Sequence, residues 1–256
     1  MLHKEPKGNK KEDIILFVHG AWHGAWCWDK HFMDFFSNNG YACYALNLSK
    51  HDKPGKIKGI NRLGLQDYVS DLETAVRSLP QKPIIIAHSM GGIILQKYLE
   101  RNDCKKGVLL ASVPPYGVIK TTLKFLFRTS YSWLYLLTLN LYGLVNSPKK
   151  SKWAFFSKNL EDNLVKDYTE KMCSESYKAF LNMLIPNVKI NYHLKIPLLV
   201  LGAENDQIFS VKDIQNTARK YNTESIIFEN MAHDMMLEAN HNEVSNKILE
   251  WLDSRQ

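Results

Sequence analysis

Apolar residues along the chain collect into short runs separated by longer amphipathic stretches. Six runs, at residues 14–18, 41–46, 83–87, 107–111, 197–201 and 225–228, show little polar alternation. Runs of that length and composition read as strands buried on both faces, as in parallel sheets. Between them, residues 28–38 closed by Gly40, 65–79 stopped by Pro80, 92–101, 211–220 and 243–252 carry helical spacing. The alternation predicts an α/β protein built on a doubly wound, mostly parallel sheet. It breaks between Pro114 and about Asn191, where no strand pattern appears and the sequence becomes helical and aromatic. A segment that leaves the sheet after one strand and returns before another sits over the carboxyl edge, where open α/β sheets bind ligands. The expected organisation is therefore a core of residues 14–114 and 192–256, a helical cap or lid at 115–191, and a mobile N-terminal tail at 1–13.

The most apolar parts of the cap are residues 123–127 and 133–142. The second run is too short and too punctuated to span a bilayer, which takes about 20 apolar residues. Packing on the core is preferred over transient lipid contact through the lid, and no transmembrane segment is expected. A content of 45% hydrophobic residues in 256 allows a substantial core. Cys27, Cys43, Cys104 and Cys173 are scattered without CxxC spacing, so reduced thiols in a cytoplasmic protein are expected. The net charge of +7 is dispersed over lysines without a recognition motif, which reads as a solvated basic surface and not a nucleic-acid site. Neither clustered metal-ligand spacing nor a Gly-rich phosphate loop is present, so no metal and no cofactor is expected.

Chemistry enters at Ser89, placed between an apolar strand and an apolar helix with Ala87 and Gly91 two positions to either side. A serine on a sharp strand-to-helix turn presents its hydroxyl, and its flanking positions must be small for the turn to close. Taken alone, Ser89 is equally a helix N-cap. Two later loops leave the same sheet edge: the one after 197–201 offers Glu204 and Asp206, and the one after 225–228 offers His233. A serine hydroxyl needs an imidazole to take its proton and a carboxylate to orient that imidazole. His88, beside Ser89, is a rival base.

After the first clear strand comes His19-Gly20-Ala21-Trp22-His23-Gly24-Ala25-Trp26. The run resembles the His-Gly oxyanion loop of α/β-hydrolases, and its doubled phrasing is similar to the plant methylesterase and hydroxynitrile lyase branch. Ala-His-Asp-Met-Met-Leu at 232–237 resembles the histidine loop of bacterial esterase-like members. The order serine, acid, histidine is also that of α/β-hydrolases, although Ala87 replaces the usual first glycine of the elbow. The resemblance runs from 14 to 252 and is weakest across the lid. It implies an α/β-hydrolase fold with a helical lid inserted after the sixth strand, and a triad of Ser89, Asp206 and His233. It further implies an oxyanion hole from the main-chain amides of Ala21 and Met90, with Trp22 in place of Ala21 if the loop is shifted by one. His19, His23 and Trp22 would brace that loop or line the pocket. The implied activity is hydrolysis of a small-molecule, largely apolar ester through an acyl-enzyme. The alternatives are a hydroxynitrile lyase-like or other non-hydrolytic activity, or a ligand-binding receptor with vestigial activity. Against the lyase, Asp234 follows His233 where that branch places a cyanide-holding lysine.

Overall fold

A computed structural model of the chain describes residues 1–128, 137–191, 193 and 195–254. Among these, the strands β1 (Leu2–Lys4), β2 (Ile14–Val18), β3 (Ala42–Leu46), β4 (Ile84–His88), β5 (Lys106–Leu110), β6 (Leu198–Ala203) and β7 (Ser225–Phe228) form one sheet. The order is β1-β3-β2-β4-β5-β6-β7, and every pairing is parallel except that of β1 with β3. The apolar runs thus become strands within about two residues of their expected ends. Every residue of β2, β4 and β5 is buried.

Period-two alternation divides these strands between two cores. Ile15, Phe17, Ile84 and Ile86 pack with Trp28, Phe32 and Phe36 on one face. Leu16, Val18, Ile85 and Ala87 pack with Tyr68, Leu72, Ile93 and Ile94 on the other. Helix α1 runs as Trp26–Trp28, a π-helical turn Asp29–Met33, and Asp34–Asn38. It shares the first core with the C-terminal helix α9 (His241–Asp253). The second core is covered by α2 (Leu65–Ser78), α3 (Met90–Tyr98) and α8 (Val211–Lys220). A capping box starts α8, Ser210 Oγ accepting from the Asp213 amide while Asp213 accepts from the Ser210 amide at 2.9 Å.

The N-terminal residues depart from the expected mobile tail. β1 pairs antiparallel along β3, with Leu2 opposite Ala45 and Lys4 opposite Cys43. His3 stacks on Tyr44 with ring centroids 4.3 Å apart, and Lys4 Nζ lies 2.7 Å from Asp34 Oδ1 and 2.9 Å from Asp29 Oδ1. A short polar edge strand has no apolar periodicity, and its partner strand β3 lies far along the chain, so hydropathy alone does not reveal it.

The inserted helical segment leaves the sheet after β5 and returns into β6. Only five strands precede it, not six as the family resemblance implied, because β1 is the sole strand before β2. Its described elements are α4 (Ile119–Arg128), a 3-10 turn at Leu141–Leu144, α5 (Pro148–Phe155), α6 (Asp162–Lys171) and α7 (Tyr177–Leu184). Part of the apolar run 133–142 lies outside the described residues. The segment is tied to the core by the Cys173 amide donating to Trp22 O at 2.9 Å and by the Ser157 hydroxyl donating to Glu238 at 2.8 Å. Among the described residues no helix is long and apolar enough to cross a membrane.

Deleting residues 1–5 is expected to leave a cooperative fold but lower its thermal midpoint by roughly 3–6 °C, the scale of one or two kcal/mol in a chain of this size. Differential scanning calorimetry checks this, and an unchanged midpoint refutes an ordered β1.

Candidate active site

β4 hands the chain to α3 through a single residue. Ser89 has φ 51° and ψ −115°, a sparsely populated region for an L-residue that survives only when its surroundings enforce it. Its amide donates to Leu110 O at 3.0 Å, and its carbonyl accepts from Gly92 N at 2.9 Å and Val113 N at 3.1 Å. The turn also requires close backbone approach. A Cβ on Gly91 would lie 2.5 Å from Val18 O and 2.7 Å from His19 O, and one on Gly20 would lie 2.9 Å from Ser89 Cβ. Ala87, the departure from the usual elbow, points its methyl into the second core and is wholly buried there.

His233 lies beside this serine, with Nε2 2.9 Å from Ser89 Oγ and Nδ1 2.8 Å from Asp206 Oδ2. The loops bearing the acid and the histidine are zipped together, Glu204 N donating to Phe228 O and Asn205 N to Met231 O, both at 2.9 Å. Asp206 Oδ1 accepts from the amides of Ile208 at 2.7 Å and Phe209 at 3.0 Å, an Asx-type turn that aims the other oxygen at the imidazole. Glu204, the competing acid, is exposed and accepts from the Asn230 amide. His88, the competing base, donates from Nε2 to the His233 carbonyl at 3.0 Å. Burial, reinforced by His233, pulls its pKa down to about 3, so it braces the histidine loop as a neutral ring.

The residues of the loop after β2 sort by the partners of their rings. His19 donates from Nδ1 to Gly20 O at 2.8 Å and accepts the Leu48 amide on Nε2 at 3.1 Å. That is a neutral tautomer, and burial, with His51 nearby, holds its pKa well below the usual range. His23 sits 2.9 Å from Asp234. Trp22 has φ 63°, donates from Nε1 to Leu141 O at 3.2 Å, and turns its amide toward Glu175 Oε2 at 3.4 Å. Among the described residues neither the Ala21 nor the Met90 amide has an acceptor. Met90 opens α3, so its N–H has no partner within the helix.

Ala21, Trp22, Ser89 and Met90 form one end of a cavity of about 120 Å³. Its walls are apolar and come mostly from the inserted segment, with Val118, Leu144, Phe155, Phe180 and Met183 joined by Phe209 from the core. The charged residue among the lining is Glu175, a buried carboxylate that accepts from Tyr68 OH at 3.1 Å, Ser176 N at 2.6 Å and His51 Nε2 at 3.0 Å. His51 Nδ1 lies 3.1 Å from Ser49 O, so both nitrogens face oxygen, an arrangement that favours the protonated ring. Burial opposes that charge, but Glu175 outweighs it and raises the pKa. Neither His51 nor Glu175 stands out in the sequence, because the two are 124 residues apart with no motif around either. His88, His233 and Asp234 have the composition of a metal ligand set and lie within 4.8 Å of one another. Both nitrogens of His233 are taken by Ser89 and Asp206, and no ligand role is assigned.

A family model described as the alpha/beta hydrolase family matches residues 15–246. Methyl jasmonate esterase 1 of Vitis vinifera is 37% identical over 95 residues, which is 36% of this chain and 35% of that protein. Norfluorocurarine synthase 2 of a Strychnos species is 35% identical over 116 residues, 43% of this chain and 42% of that protein. The chain thus spans about two fifths or less of the length of these relatives. Among solved structures, the Paleococcus ferrophilus monoacylglycerol lipase superposes with a TM-score of 0.70 at 18% identity, covering 100% of this chain and 99% of that one.

The buried histidines predict an asymmetric pH dependence of stability. His23 and His51 have raised pKa values, so their ion pairs contribute fully below about pH 6.5 and are lost as pH rises through their folded values. His88 and His31 have lowered values, about 3 and about 4, so the unfolded state binds more protons as pH falls below about 6.5. The denaturation midpoint in urea is therefore expected to peak near pH 6.5 and fall on both sides. A midpoint that still rises from pH about 6.5 to about 9 contradicts the raised pair.

Proposed function

The chain belongs to the alpha/beta hydrolase family, and on that premise we propose that it is a serine hydrolase cleaving carboxylic esters of small to medium, largely apolar substrates. The observation that carries the proposal is the continuous relay of Ser89, His233 and Asp206 at 2.9 and 2.8 Å, opening on an apolar cavity. In this reading Ser89 Oγ attacks the ester carbonyl while His233 Nε2 takes its proton, and Asp206 holds the Nδ1–H tautomer and stabilises the imidazolium that forms. The negative charge that develops on the carbonyl oxygen is met by the amides of Ala21 and Met90, donors already fixed in place before reaction. His233 then returns the proton to the leaving alcohol, and water, activated by the same imidazole, releases the acid from Ser89.

The cavity sets the substrate class. Free space of about 120 Å³ is room for about four waters at about 30 Å³ each, the scale of a short acyl or small aryl group. The apolar wall disfavours a charged one, since Glu175 already has its donors within the protein. Four buried free thiols fit a reducing, cytoplasmic compartment.

A second reading, non-hydrolytic chemistry on the same serine and histidine, is favoured by the likeness to a protein named as a synthase. A cyanide-releasing form of it is opposed by Asp234, whose carboxyl is held below its usual range despite burial and carries a negative charge beside His233.

Ser89→Ala is expected to lower kcat for p-nitrophenyl butyrate by at least about 10³-fold with the fold intact by circular dichroism. Wild-type turnover in that variant removes the hydrolase reading. A chain-length series of p-nitrophenyl esters is expected to pass through a maximum and fall once the acyl group exceeds the cavity. Cyanide release from mandelonitrile above the spontaneous rate would favour the second reading.

A further inference from the structure

Two loops meet beneath the relay. The loop that carries the Ala21 amide supplies His23, and the loop that carries His233 supplies Asp234, the next residue in the chain. Both side chains are fully buried, and Nε2 of His23 lies 2.9 Å from Oδ2 of Asp234. The other nitrogen, Nδ1, lies 2.8 Å from the carbonyl oxygen of Ala21. Both nitrogens of one ring therefore face oxygen atoms, the Ala21 carbonyl as a hydrogen-bond acceptor and the Asp234 carboxylate as a close opposite charge, a setting that favours the doubly protonated imidazolium. Burial opposes the charge, but Asp234 and the Ala21 carbonyl outweigh it. Conversely, burial raises the Asp234 carboxyl, yet His23, His88 and His233 together hold it low. The approach of His23 to Asp234 is short but bent and is not a well-aligned hydrogen bond, so the attraction is chiefly coulombic.

We propose that His23 and Asp234 are positioning residues, an imidazolium–carboxylate brace that fixes the Ala21 amide relative to His233. This rests on the catalytic reading of Ser89, His233 and Ala21 given above. The mechanical path is short. The His23 ring grips the Ala21 carbonyl, which restrains the backbone on either side of Ala21 and so the direction of its N–H. Asp234 anchors that ring one residue from His233, and its own amide donates to Phe155 O in the cavity wall at 3.0 Å. A pair of apolar residues would fill this space without desolvating two charges, so stability alone does not account for an ion pair here.

The charged and titratable groups around the brace are known. His23 faces Asp234, Glu175, His19 and His88, and Asp234 faces His23, His88, His233, Cys27 and Glu238. Replacing Asp234 removes the closest counter-charge of His23 and leaves His233 bonded to Ser89 and Asp206.

Asp234→Asn keeps the shape and removes the charge. With p-nitrophenyl butyrate, kcat is expected to fall about 10- to 100-fold, while KM changes by less than about threefold. The alkaline limb of the kcat profile is expected to move to lower pH, because His23 without its counter-charge releases its proton sooner. A loss that is merely structural lowers kcat evenly across the profile. The double variant His23→Gln/Asp234→Asn, an uncharged pair of similar size, is expected to lose that limb and regain part of kcat. Wild-type kcat in Asp234→Asn overturns the proposal, as does an alkaline limb that stays in place. If the variants do not fold, NMR of the ring nitrogens in the wild-type enzyme decides, since a neutral His23 at neutral pH also overturns it. An inactive Ser89→Ala beside an unaltered Asp234→Asn sinks the brace and leaves the hydrolase reading standing, whereas an active Ser89→Ala sinks that reading itself.

Discussion

At Ser89 the backbone holds a positive φ at the end of a buried strand, and the rest of the carboxyl edge is arranged around keeping it there. Such a conformation costs on the order of 1–3 kcal/mol. It is enforced from several directions: by the hydrogen bonds of Ser89 to Leu110, Gly92 and Val113, and by the contact of Gly91 with the end of β2. The contact with β2 has a second effect. Because Val18 and His19 crowd the elbow, the loop that follows them starts against it, and Gly20 packs on Ser89 and His88. One steric constraint thus sets the positions of both the hydroxyl and the start of that loop.

Polar groups gathered under this edge would be costly if left unpaired, and they are paired in a regular way. His19 and His88 are neutral, each placed by a backbone group. His23 and His51 each face a buried carboxylate, which raises the pKa of the ring. The two carboxylates come from different parts of the chain, Asp234 from the histidine loop and Glu175 from the inserted segment. The loop between β2 and α1 is held on one side by Asp234 against His23 and on the other by the inserted segment, through the bonds of Trp22 with Cys173, Glu175 and Leu141. Removing one partner of either pair leaves the other buried without its counter-charge.

The inserted segment contributes more than cover. It provides most of the apolar wall of the cavity, the Leu141 carbonyl that receives the Trp22 indole, and Glu175. Most of the cavity wall and a hydrogen bond to the loop after β2 therefore come from the same stretch of chain.

Much of this was legible in the sequence. The six apolar runs and the intervening helical spacing determine the parallel sheet, because strands buried on both faces admit few polar residues. The small residues around Ser89 and the polar strand-end loops single out Ser89, Asp206 and His233, which the fold brings within hydrogen-bond distance of one another at one edge. What the sequence left open was settled by contacts with no local signature. Asp206 faces the imidazole and Glu204 faces solvent because the Ile208 and Phe209 amides turn one carboxylate inward. β1 exists because an edge strand needs only a partner's backbone, and Glu175 meets His51 because two distant segments cross. Periodicity records which residues are buried. Which buried polar groups share a proton is decided by long-range packing, and that is a property of the tertiary structure alone.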